Sequence, residues 1–558
     1  MMLEVDVLVI GAGGAGCRAA IAAADGGASV LMVSKAAPGR AGATAHPVAE
    51  MAGYNAGDPV VPQDVQRHYE DMVAAGQGMA DKKLAAIVAV GAPDTIKQLE
   101  KWGVRFEQEN GSYYIFKSCF SSSPRTHVIR GHGEPILKAI IGQIKQRSNI
   151  RVMNGITVMG LSVSHGACVG AYGLCGGEMI HIGAKAVVLA TGGSGYIFER
   201  NMNPYDVTGD GYSMAYHAGA SLTNMEFMQI GMGFSWPLEN IFNGYIWEGM
   251  PKLTAADGGD IFDGVLPESL NTRDVMHEHR KHFPFSTSDC SKYLEIAVHR
   301  AVREGRGTEH RGISIDLSCM TDGYVASLPD DCGIRHMWPI AKEYMLSKGV
   351  DLLSDKVEVA CYAHAINGGV KIGTDAMSDI DGLFAAGECA GGPHGADRLG
   401  GNMMVTCQVF GAIAGSNAAA YALRSRRGEA DAESVSRMEE MEHILYRKAD
   451  TEEMLSRLKK ETQDCLLVGR TEDGLLHLAE AIRCLSAQLE DSPVADVPDE
   501  HNVVLYHGLT AAMLMCESAR RRKESRGAHH RADYPEKDAA YGRPFTLWKS
   551  GSGAAQME

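Results

Sequence analysis

The feature that most restricts this chain lies in its first 33 residues. An apolar strand pattern at 4–10 (EVDVLVI) runs without a break into Gly11, Ala12, Gly13, Gly14, Ala15 and Gly16. An alanine-rich stretch follows, stops at Gly26 and Gly27, and leads to a second apolar strand at 29–33 (SVLMV). Strand, glycine turn, helix and strand within about 30 residues predict a βαβ unit and an α/β fold. A glycine pattern alone carries little weight, but in this context each glycine has a physical task. Gly11 permits the tight turn, Gly13 lets a pyrophosphate approach the backbone, and Gly16 packs helix on strand, so the phosphates would meet free amides at the helix N-terminus. A dinucleotide site is therefore expected. An NAD site usually places an acidic residue about 20 positions on; this chain has Ser34 and Lys35 there, which argues against NAD without proving FAD.

Two more apolar strands end on small residues beside a polar one: 187–193 (VVLATGG), which closes on Thr191 and Gly192, and 381–388 (DGLFAAGE), which closes on Gly387 and Glu388. From about 226 to 355 the pattern turns irregular and richer in aromatics, Pro and His, as for an inserted domain. Residues 432–490 carry the charge runs and apolar spacing of amphipathic bundle helices, and the last 30 residues read as a wrapping tail. The chain has 65 glycines in 558 residues, well above the usual share of roughly 7%, which again points to backbone lying against a ligand. With 53 basic against 69 acidic residues and a net charge of −16, nucleic acid is not an expected partner. The amino terminus lacks a basic signal-peptide region, and apolar runs such as Ala186–Gly192 fall short of the ~20 residues that cross a bilayer, so a soluble cytoplasmic protein without a membrane span is expected. The 13 cysteines are scattered singly, which argues against disulfides, a bound metal or an iron–sulfur cluster held by this chain.

Five separated motifs, in order, then carry a family resemblance: GAGGAG (11–16) with SKAAPGR (34–40), NPYDVTGDGYSMAYHAGA (203–220), HAINGGV (364–370), GLFAAGECAGGPHGADRLGGN (382–402) and ESRGAHHRADYP (524–535). The chain resembles the flavoprotein subunit of the succinate dehydrogenase and fumarate reductase family, which includes L-aspartate oxidase. The resemblance implies a Rossmann-like FAD-binding domain (1–225 and 355–430), an inserted α+β capping domain (226–354), a C-terminal helical domain (431–535) and a tail (536–558). By motif position Gly11 to Gly16 would hold the FAD pyrophosphate, with Ser34 and Lys35 near the adenosine ribose. Gly42, Ala43, Thr44, Ala190, Thr191 and Gly192 would line the cofactor, Asp210 would support it, and Glu388 would bond its hydroxyls. Asn402, Met403 and Met404 would lie at the flavin ring beside a helix N-terminus. Many members attach FAD through a His after an Arg-Ser pair; the stretch Arg40-Ala41-Gly42 puts Gly42 at that position, with His46 four residues later, so noncovalent FAD is expected.

The family's reaction moves a hydride between flavin N5 and a carbon flanked by carboxylates, and a proton at the neighbouring carbon. Arg398 matches its carboxylate-clamping Arg and His364 its second substrate ligand. Two parts are missing. The segment Gln229-Ile230-Gly231-Met232-Gly233 has Gly231 where the family has a substrate-contacting His. The proton-shuttling Arg falls on Ser288 when aligned on Asp289, or on Ser291 beside Lys292 when counted back from Glu304. Lys292, His299 and Glu248 are candidate replacements, and an insert from Phe234 to Phe262 with Trp236, Tyr245 and Trp247 suggests a larger, aromatic pocket for a bulkier anionic organic substrate. The absence of clusters in this chain implies a separate iron–sulfur electron-transfer subunit. Three other readings stay open: an adenylylsulfate reductase-like flavoprotein, an L-aspartate oxidase-like oxidase, and a non-catalytic electron relay.

Overall fold

The computed structural model describes residues 1–40, 42–46, 51–57, 61–242, 244–329, 332–549 and 555–558. Ala41 in the Arg-Ala-Gly stretch, residue 243 of the insert and residues 550–554 of the tail lie outside them.

The opening βαβ unit forms as its pattern predicts. Strand Met2–Ile10 is flanked by parallel partners, Val30–Ser34 on one side and Glu178–Leu189 on the other. The sheet has seven strands: Ile150–Asn154 extends it beyond Val30–Ser34, Ala167–Cys175 and Ile156–Ser164 add an antiparallel edge, and Leu383–Ala385 pairs parallel with the end of Glu178–Leu189. The first helix, Gly14–Asp25, starts from Gly13 with no side-chain cap. Its alanines are explained by its neighbour. The helix Asn402–Arg424 lies so close that a Cβ on Gly411 or Gly415 would stand 2.8 or 2.1 Å from the carbonyl oxygens of Ala15 and Ala19. Among the described residues this is the one helix long and apolar enough to cross a bilayer, which a search for unbroken apolar runs misses because Asn, Gln and Ser interrupt it. Its packing against Gly14–Asp25 accounts for the small residues.

The middle region builds a second, antiparallel sheet in the order Asn240–Ile241, Met228–Trp236, Val357–Ile366, Ile313–Asp316, Lys252–Thr254. The sequence division at 355 falls just ahead of Val357–Ile366, yet this strand pairs with Met228–Trp236 and not with the nucleotide sheet. Both strands are buried and apolar, so neither pattern names its partner. Four helices follow, Ala432–Leu445, Thr451–Thr462, Glu472–Glu490 and Glu500–Arg521, entered through Asp431, Asp450, Thr471 and Asp499, whose side chains each accept a first-turn N–H. Thr546–Lys549 returns to pair with Leu222–Thr223.

The ESRGAHHR segment acts as a clamp. Fully buried Arg522 pairs with Glu226 (2.5 Å) and Glu524 (2.9 Å), and Arg526 pairs with the same Glu524 (2.7 Å). Removing one member would strand a buried charge, so the arrangement holds as a unit. Through it the backbone of Gly527 accepts from Thr287 N (2.9 Å) and Ala528 N donates to Ala396 O (3.2 Å), which ties this turn to the loop that carries Arg398.

Candidate functional site

Between the carboxyl ends of the parallel strands and the second sheet lies a cavity of about 750 Å³, the place where open α/β sheets bind ligands. At one end the glycine turn behaves as its spacing predicts. Gly11 has φ +110°, and a Cβ there would lie 2.2 Å from the Ala190 carbonyl oxygen; a Cβ on Gly16 would lie 2.0 Å from that of Gly11. A Cβ on Gly13 would meet nothing nearer than Thr44 Oγ1 at 4.0 Å, so its backbone is open to a ligand. Thr44 Oγ1 accepts from Gly14 N (3.3 Å), and Gly42 N donates to Asp206 Oδ1 (3.1 Å). Gly11 to Ala15, Ser34, Lys35, Gly42 to Thr44, Ala190 to Gly192, Asp210, Met403 and Met404 all line the cavity. Gly16 packs behind the turn.

Charge in this wall is balanced internally. Lys35 pairs with Asp210, which also accepts from Thr208. Burial works against Asp210's charge, but Lys35 and nearby His507 outweigh it and hold the carboxyl below its ordinary value. Glu388 is different: burial pushes its carboxyl up to about 7, with only partial relief from the Ile366 N–H (3.0 Å) and Arg398. Asn402 is not among the lining residues: its Oδ1 accepts from Asn55 (2.8 Å) and bonds His68 Nε2 (2.9 Å), its buried Nδ2 has no hydrogen-bond partner among the described residues, and Met403 and Met404 line the cavity.

At the other end Arg398 and His364 come together, with Arg398 Nη2 3.2 Å from His364 Nε2. Arg398 also donates from Nε to Gln229 Oε1 (2.8 Å) and from Nη1 to Leu399 O (3.1 Å). Burial and then the Arg398 charge push His364 down to about 3, so it is a neutral imidazole.

A cavity with a glycine-turn anion cradle at one end and a buried arginine at the other suits a dinucleotide and a second, anionic molecule. Comparison with known proteins agrees. The FAD binding domain family matches residues 6–240 and 324–404, and the fumarate reductase flavoprotein C-terminal family matches 455–558. The chain is 31% identical over 568 residues to a fumarate reductase (CoM/CoB) subunit of Methanothermobacter marburgensis, covering 98% of this chain and 97% of that protein. It is 28% identical to the fumarate reductase flavoprotein subunit of Escherichia coli, covering 100% and 93%. This chain belongs to the fumarate reductase and succinate dehydrogenase flavoprotein family. It is an FAD-dependent oxidoreductase, and its fold matches that in the Mycobacterium smegmatis Sdh1 complex with UQ1 (TM-score 0.85, 27% identity, covering 100% of this chain and 94% of that one). Its likeness to adenylylsulfate reductase of Archaeoglobus fulgidus (TM-score 0.74, 21% identity, covering 100% and 96%) is one of fold. The cradle fits FAD: the open face of Gly13, the uncapped helix start and the desolvated Glu388 are suited to its pyrophosphate and hydroxyl groups.

The flavoprotein's substrate end departs from the sequence expectations. Ser288 is exposed, accepts from Gln77 Nε2 (2.9 Å), lies 2.9 Å from Ser286 Oγ, and does not line the cavity. Lys292 starts the helix Lys292–Arg303 with its ammonium over the Tyr293 ring, also away from the cavity. Glu248 accepts from Ile334 N (2.7 Å), and His299 is buried in the same helix as Lys292; neither lines the cavity. Of the insert's aromatics only Tyr245 reaches the wall, since Trp247 is core and Trp236 stacks on His310.

The wall instead takes Arg280 to Pro284, none of which the sequence singled out. His282 Nδ1 bonds Pro284 O (2.8 Å), and Nε2 bonds Asp289 Oδ2 (3.1 Å) and lies 3.3 Å from Ser291 Oγ. Burial opposes its protonation, but Asp289 outweighs burial and raises it above the ordinary histidine value. The segment is a loop, with no period to mark its inward side chains. Its one signal was a His seven residues before the Asp of the family's Arg-Asp pair.

Proposed function

We propose that this flavoprotein transfers a hydride between its flavin and one carbon of an activated carbon–carbon bond in an anionic organic substrate, and exchanges electrons with a separate iron–sulfur subunit. FAD, when bound, supplies the two-electron chemistry. The chain's own residues bind and orient. Gly11, Gly13, Gly14 and the first-turn amides cradle the pyrophosphate, Gly42 to Thr44 and Ala190 to Gly192 flank it, and Glu388 accepts from its hydroxyls.

The observation that carries the substrate reading is Arg398. It is 5% exposed, and its three hydrogen-bond partners are all neutral. A guanidinium has five N–H donors, so two remain for a carboxylate. A buried cation without a bonded counter-ion costs several kcal/mol, and an anionic substrate would offset that cost. Because His364 Nε2 faces Arg398, its proton sits on Nδ1 as a second donor. His282 lies in the same wall, its protonated form favoured by Asp289. The names of the relatives, which are subunits, support a separate electron-transfer partner. A cytoplasmic location is proposed with it, on the 13 cysteines scattered singly along the sequence.

The test is Arg398→Lys, assayed anaerobically with reduced methyl viologen against a panel of unsaturated acids. Arg and Lys differ in fork geometry, so FAD content should stay unchanged while turnover falls by about 10²-fold or more. Unchanged electron transfer would favour the relay reading. Rapid reoxidation by oxygen would favour an oxidase, and turnover with sulfite and AMP an adenylylsulfate reductase-like enzyme.

A further inference from the structure

The wall beside His364 has a chemistry that the Arg398 end does not share. A Cβ on Gly231 would lie 2.3 Å from Phe283 Cζ and 2.7 Å from Met202 Cε, so the phenyl ring and the thioether fill the space a side chain at 231 would take. Phe283 stands edge-on to the His364 ring, with centroids 5.8 Å apart, and its N–H donates to Cys119 Sγ (3.0 Å). Phe285 N donates to Ile230 O (2.8 Å), which fixes this segment along the strand that carries Gly231. Met202, Phe283, Cys119 and Ile241 form one apolar cluster, and all four line the cavity.

The cations nearest this cluster in the cavity wall each stand beside a carboxylate. Arg280 lies 3.9 Å from Glu248, Lys281 is bonded to Glu278 at 2.7 Å, and both nitrogens of His282 are taken by Pro284 and Asp289. A second carboxylate placed against these four side chains would lose its water against carbon and sulfur, which is strongly unfavourable. An apolar or aryl group would bury surface and stack on Phe283.

Resting on the Arg398 reading above, we infer that the site takes a monocarboxylate whose carbon–carbon double bond bears an apolar or aryl substituent, with Phe283 and Met202 as the surface that selects it over a dicarboxylate.

The experiment titrates the oxidised, FAD-loaded protein with trans-cinnamate, crotonate and fumarate, following perturbation of the flavin absorption band. Cinnamate should bind more tightly than fumarate by about tenfold or more, the size of one aromatic contact. Phe283→Leu should weaken cinnamate by about tenfold and leave crotonate within about threefold. If that variant loses FAD, Phe283→Met supplies the same readout. Gly231→His should disrupt the site alone, and combined with Phe283→Ala should turn the preference toward fumarate. Fumarate binding as tightly as cinnamate, no cinnamate binding at millimolar concentration, or equal weakening of all three acids by Phe283→Leu would overturn the inference. Arg398→Lys separates the two claims: if the acids bind equally well without Arg398, the carboxylate reading itself fails, whereas Arg398-dependent binding that prefers fumarate sinks only this inference.

Discussion

The two ends of the cavity were built under different constraints. At the nucleotide end the work is done by backbone: Gly11, Gly13 and Gly16 are needed because carbonyls or a ligand occupy the space of a side chain, and helix amides supply the anion site. At the substrate end it is done by side chains from distant segments, with Arg398, His364, Gln229, His282 and Phe283 meeting across the second sheet. A backbone site tolerates almost no change in its glycines. A side-chain site can be rebuilt one residue at a time, as Gly231 and Phe283 show.

The sharpest way to break this contrast is Gly11→Ala. Its Cβ would overlap the Ala190 carbonyl in a left-handed backbone conformation, a combined penalty of more than about 3 kcal/mol. The protein should purify without FAD, as read from its visible spectrum; a yellow, folded variant would show that the turn is adaptable. Next in size is the mode of FAD attachment. Gly42 offers no nucleophile and His46 does not line the cavity, so acid precipitation should release all of the flavin, and a flavin-labelled peptide containing His46 would refute this.

Asp397 tests the substrate end. Its Oδ2 accepts from Ser286 (2.7 Å) and Gln77 (2.8 Å), while burial pushes the carboxyl up to about 7 against those bonds. A carboxyl with a raised native pKa binds its proton more readily folded than unfolded, so the stability it lends is whole below about pH 4 and is lost as pH rises through 7. Asp397→Asn should therefore gain in thermal stability relative to the parent between pH 5 and pH 8, and a gap that narrows over this range would contradict the assignment. The smallest effect is expected for Ser288→Ala and Lys292→Ala: both sit away from the cavity, so turnover should stay within about twofold and stability within about 0.5 kcal/mol. A hundredfold loss in either would restore these residues as the proton-moving group.

Legibility followed the same division. The βαβ unit, Ser34 and Lys35 at the second strand's end, and the inward Glu388 were readable because short-range periods and glycine positions determine them. Arg398 and His364 were readable only through family motifs, since neither has a local pattern. Ser288 and Lys292 came from alignment along the chain, on Asp289 for one and back from Glu304 for the other, whereas the stretch that lines the cavity is Arg280 to Pro284. That Val357–Ile366 pairs with Met228–Trp236 was not legible, because two buried apolar strands do not name their partner.

By itself the sequence determined that this chain binds a dinucleotide on a βαβ turn, because a Cβ at Gly11 or Gly16 would collide with backbone close by in the fold. It also marked the loss of the family's His at Gly231. What stands in that vacated space, a phenyl ring set edge-on to His364, was decided by tertiary structure alone, because it depends on which face of a loop 52 residues further along the chain packs against that strand.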